Sequence, residues 1–516
     1  SQDCVTIEGP ETVILKPPRS CQTNRQTDKS LPQTAQRFSF TQVFGPDAGQ
    51  KKVFDGSVRG LVQDVLEGGN CLVFTYGVTN AGKTFTFLGP DHDSGLLPRS
   101  LSVIFNSIDG HLYSRSDLKP QRCRDYSRLT PDQQAAEISS KRNLLRNFKE
   151  VSILGHSFCR SICSSLTDSS VNSISDADAF GLSFTSNVCF SIWVSFCEIY
   201  NDNIHDLLDG DIYSMLRLSQ DVKGNSFIKD LRWVQVNSFE EAYRVMKIGK
   251  KNQSFSVTRL NQLSSRSHSI FSIRIIRVED ISVPRVLGIS ELALCDLAGS
   301  ERCSRTQNTG ERLKEAGNIN SSLLTLGKCI NAIRLNQQAK FRHHVPFRES
   351  KLTHFLQVFF CGSGRVCMVV NINQSSSCFD ETLNVLKFSA LAQKEAQIRE
   401  EISAEYMEIF KEMEKDYSER LEREKEILEE RADRRVEILK NLVSKTVNLS
   451  SSSTNEKEEQ TALMEIISSL TKDLEKIKED AQSVHSCLTE HAHTTGKHSV
   501  VFFSSHIYVC LLWFVG

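Results

Sequence analysis

Gly77-Val78-Thr79-Asn80-Ala81-Gly82-Lys83-Thr84 reads G-x-x-x-x-G-K-T directly after the apolar run Cys71-Leu72-Val73-Phe74-Thr75-Tyr76. An uncharged run of this kind predicts a buried parallel strand. The loop after it must turn its backbone N–H groups inward around a polyphosphate, so it needs glycine where a Cβ would obstruct. Lys83 then reaches the β- and γ-phosphates as a point charge. Thr84 offers a hydroxyl to Mg²⁺ at a helix N-terminus, where the dipole favours anions.

The chain has 516 residues, 39% of them hydrophobic, and a net charge of -1. That suits one large α/β domain with further segments. No global basic field points to nucleic acid, so nucleic acid is not an expected partner. The 16 cysteines are scattered, many within apolar runs (Cys71, Cys189, Cys295, Cys367), as buried free thiols of an intracellular protein would be. His156, Cys159 and Cys163 form a compact cluster, but no fourth ligand sits at a usual zinc spacing. No signal peptide opens the chain and its first residue is not Met, so a fragment is expected. Residues 500–516 are apolar but broken by Ser504, Ser505 and His506, and shorter than the roughly 20 residues a spanning helix needs. A disordered or atypical end is expected there, and no membrane partner.

Strands are predicted at residues 12–15, 38–44, 190–196, 270–278, 286–295 and 366–372, and helices at 53–66, 96–108, 311–335 and 381–393. Residues 110–188 change character: they are polar, helical in part (131–151), and Ser-rich from 164 to 186, as in a surface insertion with disordered parts. Alternating strands and helices argue an α/β domain with helices covering both faces of a central, mixed, mostly parallel sheet. From about residue 396 the composition turns to Glu, Lys and Arg. Ile402, Tyr406, Ile409, Met413, Tyr417 and Leu421 keep a three-four spacing. Leu463, Ile467, Leu470, Leu474, Ile477, Ala481, Val484 and Leu488 give a heptad seam, so a short coiled coil is expected.

Two further stretches narrow the chemistry. Asp296-Leu297-Ala298-Gly299-Ser300-Glu301 ends a strand, which places Asp296 to hold Mg²⁺ through water and leaves the Gly299 N–H free to meet a γ-phosphate. Asn261-Gln262-Leu263-Ser264-Ser265-Arg266-Ser267-His268 is a polar loop before a strand, whose hydroxyls could close over phosphates and metal while Arg266 pairs with Glu301.

With these motifs, residues 38–395 outside the insertion resemble the kinesin motor domain. Phe196 to Asp202 with Asp206-Leu207-Leu208, Asn318 to Leu323 with Leu326-Gly327, and His344 to Thr353 are also similar to that family. The long insertion, with Phe38-Ser39-Phe40-Thr41 and Gly45-Pro46-Asp47, resembles its mitotic kinesin-6 group. The resemblance implies a kinesin-type P-loop NTPase fold and an ATP-driven, plus-end-directed microtubule motor acting in mitosis or cytokinesis. It implies ATP and Mg²⁺ as cofactors, microtubules as partner, a homodimer through the coil, and a place on spindle and midzone microtubules in the cytoplasm, with a nuclear interphase pool.

It also implies roles. Gly77, Val78, Thr79, Asn80, Ala81, Gly82, Lys83, Thr84 and Phe85 bind nucleotide; Thr84, Ser265 and Asp296 hold the metal, Asp296 through water. Ser264, Ser265, Arg266, Gly299 and Glu301 act in catalysis, with Arg266–Glu301 as the gate that positions attacking water. Lys314, Arg348 and Lys351 meet acidic tubulin, with His354 where the family often has a basic residue. The implied organisation is a motor at 1–395 containing the insertion 110–188, a neck and charged helix at 396–450, a polar linker at 451–460, a coiled coil at 461–490 and a tail at 491–516. A non-motile microtubule-binding scaffold is the second reading, disfavoured by the intact catalytic residues. Finally, the family opens with an Arg-x-Arg-Pro-like strand, whereas Lys16-Pro17-Pro18 is the one similar stretch here. A sheet short of one core strand, with exposed apolar surface, is therefore expected.

Overall fold

The computed structural model describes residues 3–18, 34–154, 179–181, 187–209, 214–258, 266–301, 311–338, 343–362, 364–393 and 507–514, with single positions between 415 and 476. Residues 1–400 and 504–516 form one compact unit and 401–503 another. In the second unit the described positions are helical. All the apolar seam residues named above lie outside the described residues, as do the Cys/His cluster and nearly all of the Ser-rich run.

In the first unit, β1 (Val5–Glu8), β2 (Thr12–Leu15) and β3 (Gln36–Ser39) make a small antiparallel sheet. Then come β4 (Gln42–Phe44), helices α1 (Gln50–Ser57) and α2 (Arg59–Glu67), β5 (Cys71–Tyr76), α3 (Lys83–Leu88) and α4 (Leu96–Ser107). The insertion supplies the hairpin β6 (Leu118–Gln121) and β7 (Asp125–Arg128), and α5 (Pro131–Leu154). Next are β8 (Val188–Tyr200), β9 (Asn203–Asp206), β10 (Met215–Gln220), β11 (Ser226–Lys229), β12 (Val234–Val236) and α6 (Phe239–Thr258). The rest comprises β13 (His268–Glu279), β14 (Arg285–Asp296), α7 (Glu311–Gln338), α8 (Lys351–Cys361), β15 (Arg365–Asn373), a helix through 379–393, and β16 (Ile507–Phe514).

The large sheet runs β11-β10-β9-β8-β13-β14-β5-β15-β16-β4, with β12 on β8. It is mixed: β14, β5, β15, β16 and β4 pair in parallel, and the strands from β11 to β14 pair antiparallel. The parallel half explains the apolar runs, because both its faces are covered. Along β5, Cys71 and Val73 enter the core under α1, α2, α4 and α6, while Leu72, Phe74 and Tyr76 enter the core under α7, α8 and helix 379–393. The two-residue period of a strand divides them.

Three sequence expectations are corrected here. The run 38–44 is two strands, because it crosses from one sheet to the other: the Phe40 and Val43 N–H groups donate to the Glu11 and Pro10 carbonyls. The helix at 53–66 is two, divided at Val58, and ends at Gly68 with φ 111. The tail is not disordered over 507–514, where a strand lies between β15 and β4. Ile507–Phe514 is eight residues without charge, Gly or Pro, and it pairs in parallel with both neighbours. The described part of the insertion is also ordered. Tyr113 and Leu118 are buried with Trp193, Trp233, Ile276 and Val278, and Lys141 of α5 pairs with Glu241 of α6 at 2.5 Å.

The parallel strands end together. Gly77 follows β5, Asp296 closes β14, and Asn371 lies near the end of β15. Ligands of open α/β sheets bind at this carboxyl end. Gly77 has φ 149, and a Cβ there would lie 2.1 Å from the Asn371 carbonyl oxygen, a backbone atom that cannot swing away. Gly77→Ala is expected to cost about 2–3 kcal/mol through overpacking and a φ that side chains disfavour, as read by urea unfolding. A loss under about 0.5 kcal/mol, the scatter of neutral substitutions, would show that the loop does not pack on β15.

Candidate functional site

The turn from β5 into α3 uses left-handed backbone at Asn80 (φ 65) and Gly82 (φ 88), closed by the Ala81 N–H donating to the Val78 carbonyl at 3.2 Å. Lys83 begins α3 and is buried, 6% exposed. Its Nζ donates to the Val78 carbonyl at 2.9 Å. Burial lowers its pKa, opposed by the charges of Asp296 and Glu301. A desolvated ammonium beside turned-in backbone amides suits an anion with several oxygens, so a polyphosphate fits.

Thr84 Oγ1 donates to Asp296 Oδ2 at 2.7 Å, and Thr75 Oγ1 donates to Asp296 Oδ1 at 2.8 Å. Thr75 is fully buried and orients the carboxylate from below. Threonine and carboxylate oxygens side by side are the hard donors Mg²⁺ takes. Two of the three residues expected to hold a metal, Thr84 and Asp296, are thus brought together. Ser264 and Ser265 lie outside the described residues.

Glu301 takes a partner that the sequence reading did not anticipate. Its Oε2 accepts from the Thr79 N–H at 2.9 Å and its Oε1 from Thr79 Oγ1 at 2.7 Å. A Cβ on Gly299 would lie 2.3 Å from both Glu301 Oε2 and Thr79 Oγ1, so only glycine lets this contact close over it. The Ser300 N–H donates to the Gly77 carbonyl at 3.1 Å. The segment after β14 is therefore stitched to the phosphate loop. Arg266 lines a cleft of about 110 Å³ with Asp202, His268, Asn318 and Glu349.

His268, the first residue of β13, was noted in sequence only as the end of a motif. It is buried, and its Nδ1 accepts from the Ala298 N–H at 3.1 Å. That leaves the proton on Nε2, which donates to Ser322 Oγ at 2.9 Å; Ser322 Oγ in turn donates to the Ile319 carbonyl at 2.7 Å. A neutral imidazole thus ties the segment after β14 to α7. Burial pushes its pKa down to about 4, and the charge of Lys83 adds to this. Asn371 was also missed; its Nδ2 donates to Thr86 Oγ1 at 2.9 Å and braces α3. The signal available for both was a polar residue embedded in an apolar strand, which must be hydrogen-bonded.

The residues expected to meet tubulin lie on other elements. Arg348 is exposed on the turn Phe347–Glu349 and donates to Gln220 Oε1 at 2.7 Å. Lys351 opens α8 and Lys314 lies within α7, where only its backbone is described. Burial, and then Arg348 and Lys351, lower the pKa of His354, so at neutral pH it adds no charge to this patch. Phe85 is 44% exposed at the rim of the loop.

Comparison with known proteins agrees with this geometry. The family model described as the kinesin motor domain matches residues 4–395. Kinesin-like protein KIF20B of Homo sapiens is 52% identical over 403 residues, which cover 76% of this chain and 22% of that protein. Kinesin-like protein KIF20A of Homo sapiens is 45% identical over 427 residues, covering 76% of this chain and 47% of that protein. This chain therefore spans less than half the length of either relative. A solved structure described as kinesin 6 superposes with a TM-score of 0.57 at 29% identity, over 75% of this chain and 94% of that one.

Because His268 is neutral when folded and titrates near 6.5 when unfolded, the unfolded chain takes up the proton first. Its contribution is complete above about pH 6.5 and is lost as pH falls towards 4, at up to about 1.4 kcal/mol per unit. His268→Gln, which can accept and donate at the same places, is expected to flatten the stability profile over that interval. Identical pH slopes in urea titrations of the two proteins would place the imidazole in solvent.

Proposed function

Because this chain belongs to the kinesin motor-domain family, we propose that it is a microtubule-stimulated ATPase, a plus-end-directed motor of the mitotic kinesin-6 kind. One observation carries the reading: a buried lysine at the foot of a phosphate loop, beside a Thr84–Asp296 pair and a second strand-end segment bonded to that loop. Such a site positions a phosphoryl group and neutralises its charge, which is most of what phosphoryl transfer asks of a protein.

In this proposal the backbone from Gly77 to Gly82 holds the phosphates, with Phe85 at the rim, and Lys83 neutralises charge on the β- and γ-oxygens. Thr84, Ser265 and Asp296 hold Mg²⁺, Asp296 through water; the ion supplies further charge neutralisation when bound. Ser264 and Ser265 close the site from one side and Gly299 from the other. Glu301 bonds Thr79 and pairs with Arg266 as the gate, and that pair positions water for attack. The release of the Ser300–Gly77 and Thr79–Glu301 contacts is the change that α7 feels, through Ala298, His268 and Ser322. Lys314, Arg348 and Lys351 meet the microtubule, and the seam within 461–490 pairs two copies of the chain. Spindle and midzone microtubules are the proposed place of action.

Lys83→Ala is expected to lower microtubule-stimulated ATPase by at least about 10²-fold, since it removes a preorganised cation from the developing charge. Steady-state phosphate release with and without microtubules measures it, and a near-normal rate would remove the loop from the mechanism. Glu301→Ala separates binding from chemistry. It should retain ATP, hydrolyse it at least about 10²-fold more slowly, and stay on microtubules in the presence of ATP. Rapid release with normal turnover in co-sedimentation and phosphate assays would argue against the gate.

A further inference from the structure

A cavity of about 460 Å³ lies between the insertion hairpin, β11, α8 and the sheet. None of its lining residues belongs to the phosphate loop or to the segment after β14. Asn70 lines it from before β5, whereas the phosphate loop follows that strand. The strand period accounts for the space. Along β13, Phe271, Ile273 and Ile275 enter the core that α6 covers, while Ser272 and Arg274 take the opposite face. The cavity separates these two polar side chains from an apolar wall, Phe355, Val358 and Phe359 of α8.

Arg274 decides what the cavity can hold. It is only 6% exposed, its Cζ lies 4.1 Å from the ring centre of Trp233, and its Nε donates to Glu291 Oε2 at 2.8 Å. Its two Nη groups donate to no described residue, so a buried fork of donors is left for whatever fills the space. In the turn between β6 and β7, the Cys123 thiol donates to the Ser226 carbonyl at 3.3 Å. Burial, and then the charge of Glu291, push its pKa up to about 12, so it ties the turn to β11 without adding a negative charge. The rim is basic. Arg122, Arg124 and Lys229 are exposed there against Asp230, while Lys119 is already paired with Glu137. The volume falls within the roughly 300–1,000 Å³ of small-molecule sites. An apolar wall, an unmet guanidinium edge and a basic rim together complement an organic acid. We infer that this cavity is a binding site for an amphiphilic organic anion, with its carboxylate-like head on Arg274 and its apolar body against Phe355, Val358 and Phe359.

Anilinonaphthalene sulfonate, an aromatic anion that fluoresces when it leaves water, is the probe, used with the full chain. One saturable site is expected, and its absence would overturn the proposal. Decanoate below its micellar concentration should displace the probe and decylammonium should not; equal displacement by both would overturn the requirement for an anion. Displacement by ATP would put the probe in the phosphate loop and overturn the assignment. Two variants locate the site. Arg122→Glu with Arg124→Glu reverses the charge of an exposed turn, and Val358→Trp fills the apolar side. Each should weaken the probe by at least about fivefold, the loss of roughly one charge-assisted hydrogen bond or its equivalent in contact. The turn variant alters no buried residue, so it decides the matter even where Val358→Trp fails to fold: a smaller change in its affinity would overturn the site.

Discussion

An ammonium group almost wholly removed from water must find an anion or lose its charge, and Lys83 is in that position at the end of β5. Much of the fold can be derived from holding it there. Its burial needs a strand with both faces covered, which explains why β5 carries no charge and why two separate cores flank it. The charge must meet its ligand at the carboxyl ends of parallel strands, and β14 and β15 bring Asp296 and Asn371 to that level. The loop must lie close against β15, and Gly77 permits this because any Cβ would collide with the Asn371 carbonyl. The antiparallel half of the sheet is under none of these requirements, and it carries the insertion.

Communication out of the site uses polar groups that would be costly if left alone. His268 satisfies the Ala298 N–H on one side and Ser322 on the other, so movement of the segment after β14 cannot leave α7 undisturbed without orphaning a buried donor. Glu301 behaves in the same way. Both its oxygens accept from Thr79, so moving it breaks two hydrogen bonds at once.

What could be read from sequence was whatever a local period or a local motif carries. The phosphate loop, the Asp296 strand end, and the strands later seen as β5, β8, β13, β14 and β15 all declare themselves over six or more residues. Phe38 to Phe44 misled because alternation reports burial and is silent on which sheet does the burying; β3 and β4 share one alternating run and belong to different sheets. Residues 53–66 misled for a similar reason: α1 and α2 keep one apolar stripe across the break at Val58. The Thr79–Glu301 contact joins residues far apart in sequence and serves one arrangement of the site, so no spacing rule announces it. β16 was hidden by its flanks. Ser504, Ser505 and His506 interrupt the apolar run and made the end look too short and mixed for any role.

That last strand also changes how the chain must fold. Residues 374–506 separate β15 from β16, and the pairing of β16 with β4 spans a still longer stretch of chain. Closing a loop of that length is not prohibitive at equilibrium, because a tenfold longer loop costs only about 2 kcal/mol more. An eight-residue ladder with a buried centre exceeds that when each hydrogen bond contributes about 1 kcal/mol. The difficulty is kinetic. Until β16 arrives, β15 has a bare edge and β4 has no strand to pair with among the described residues. A parallel edge rich in Val and Met is an aggregation template while it waits. Direct pairing of an identical β16 from a second copy would satisfy the same backbone groups. The local concentration of the chain's own segment favours the intramolecular choice, and that advantage falls as the intervening residues lengthen or stiffen.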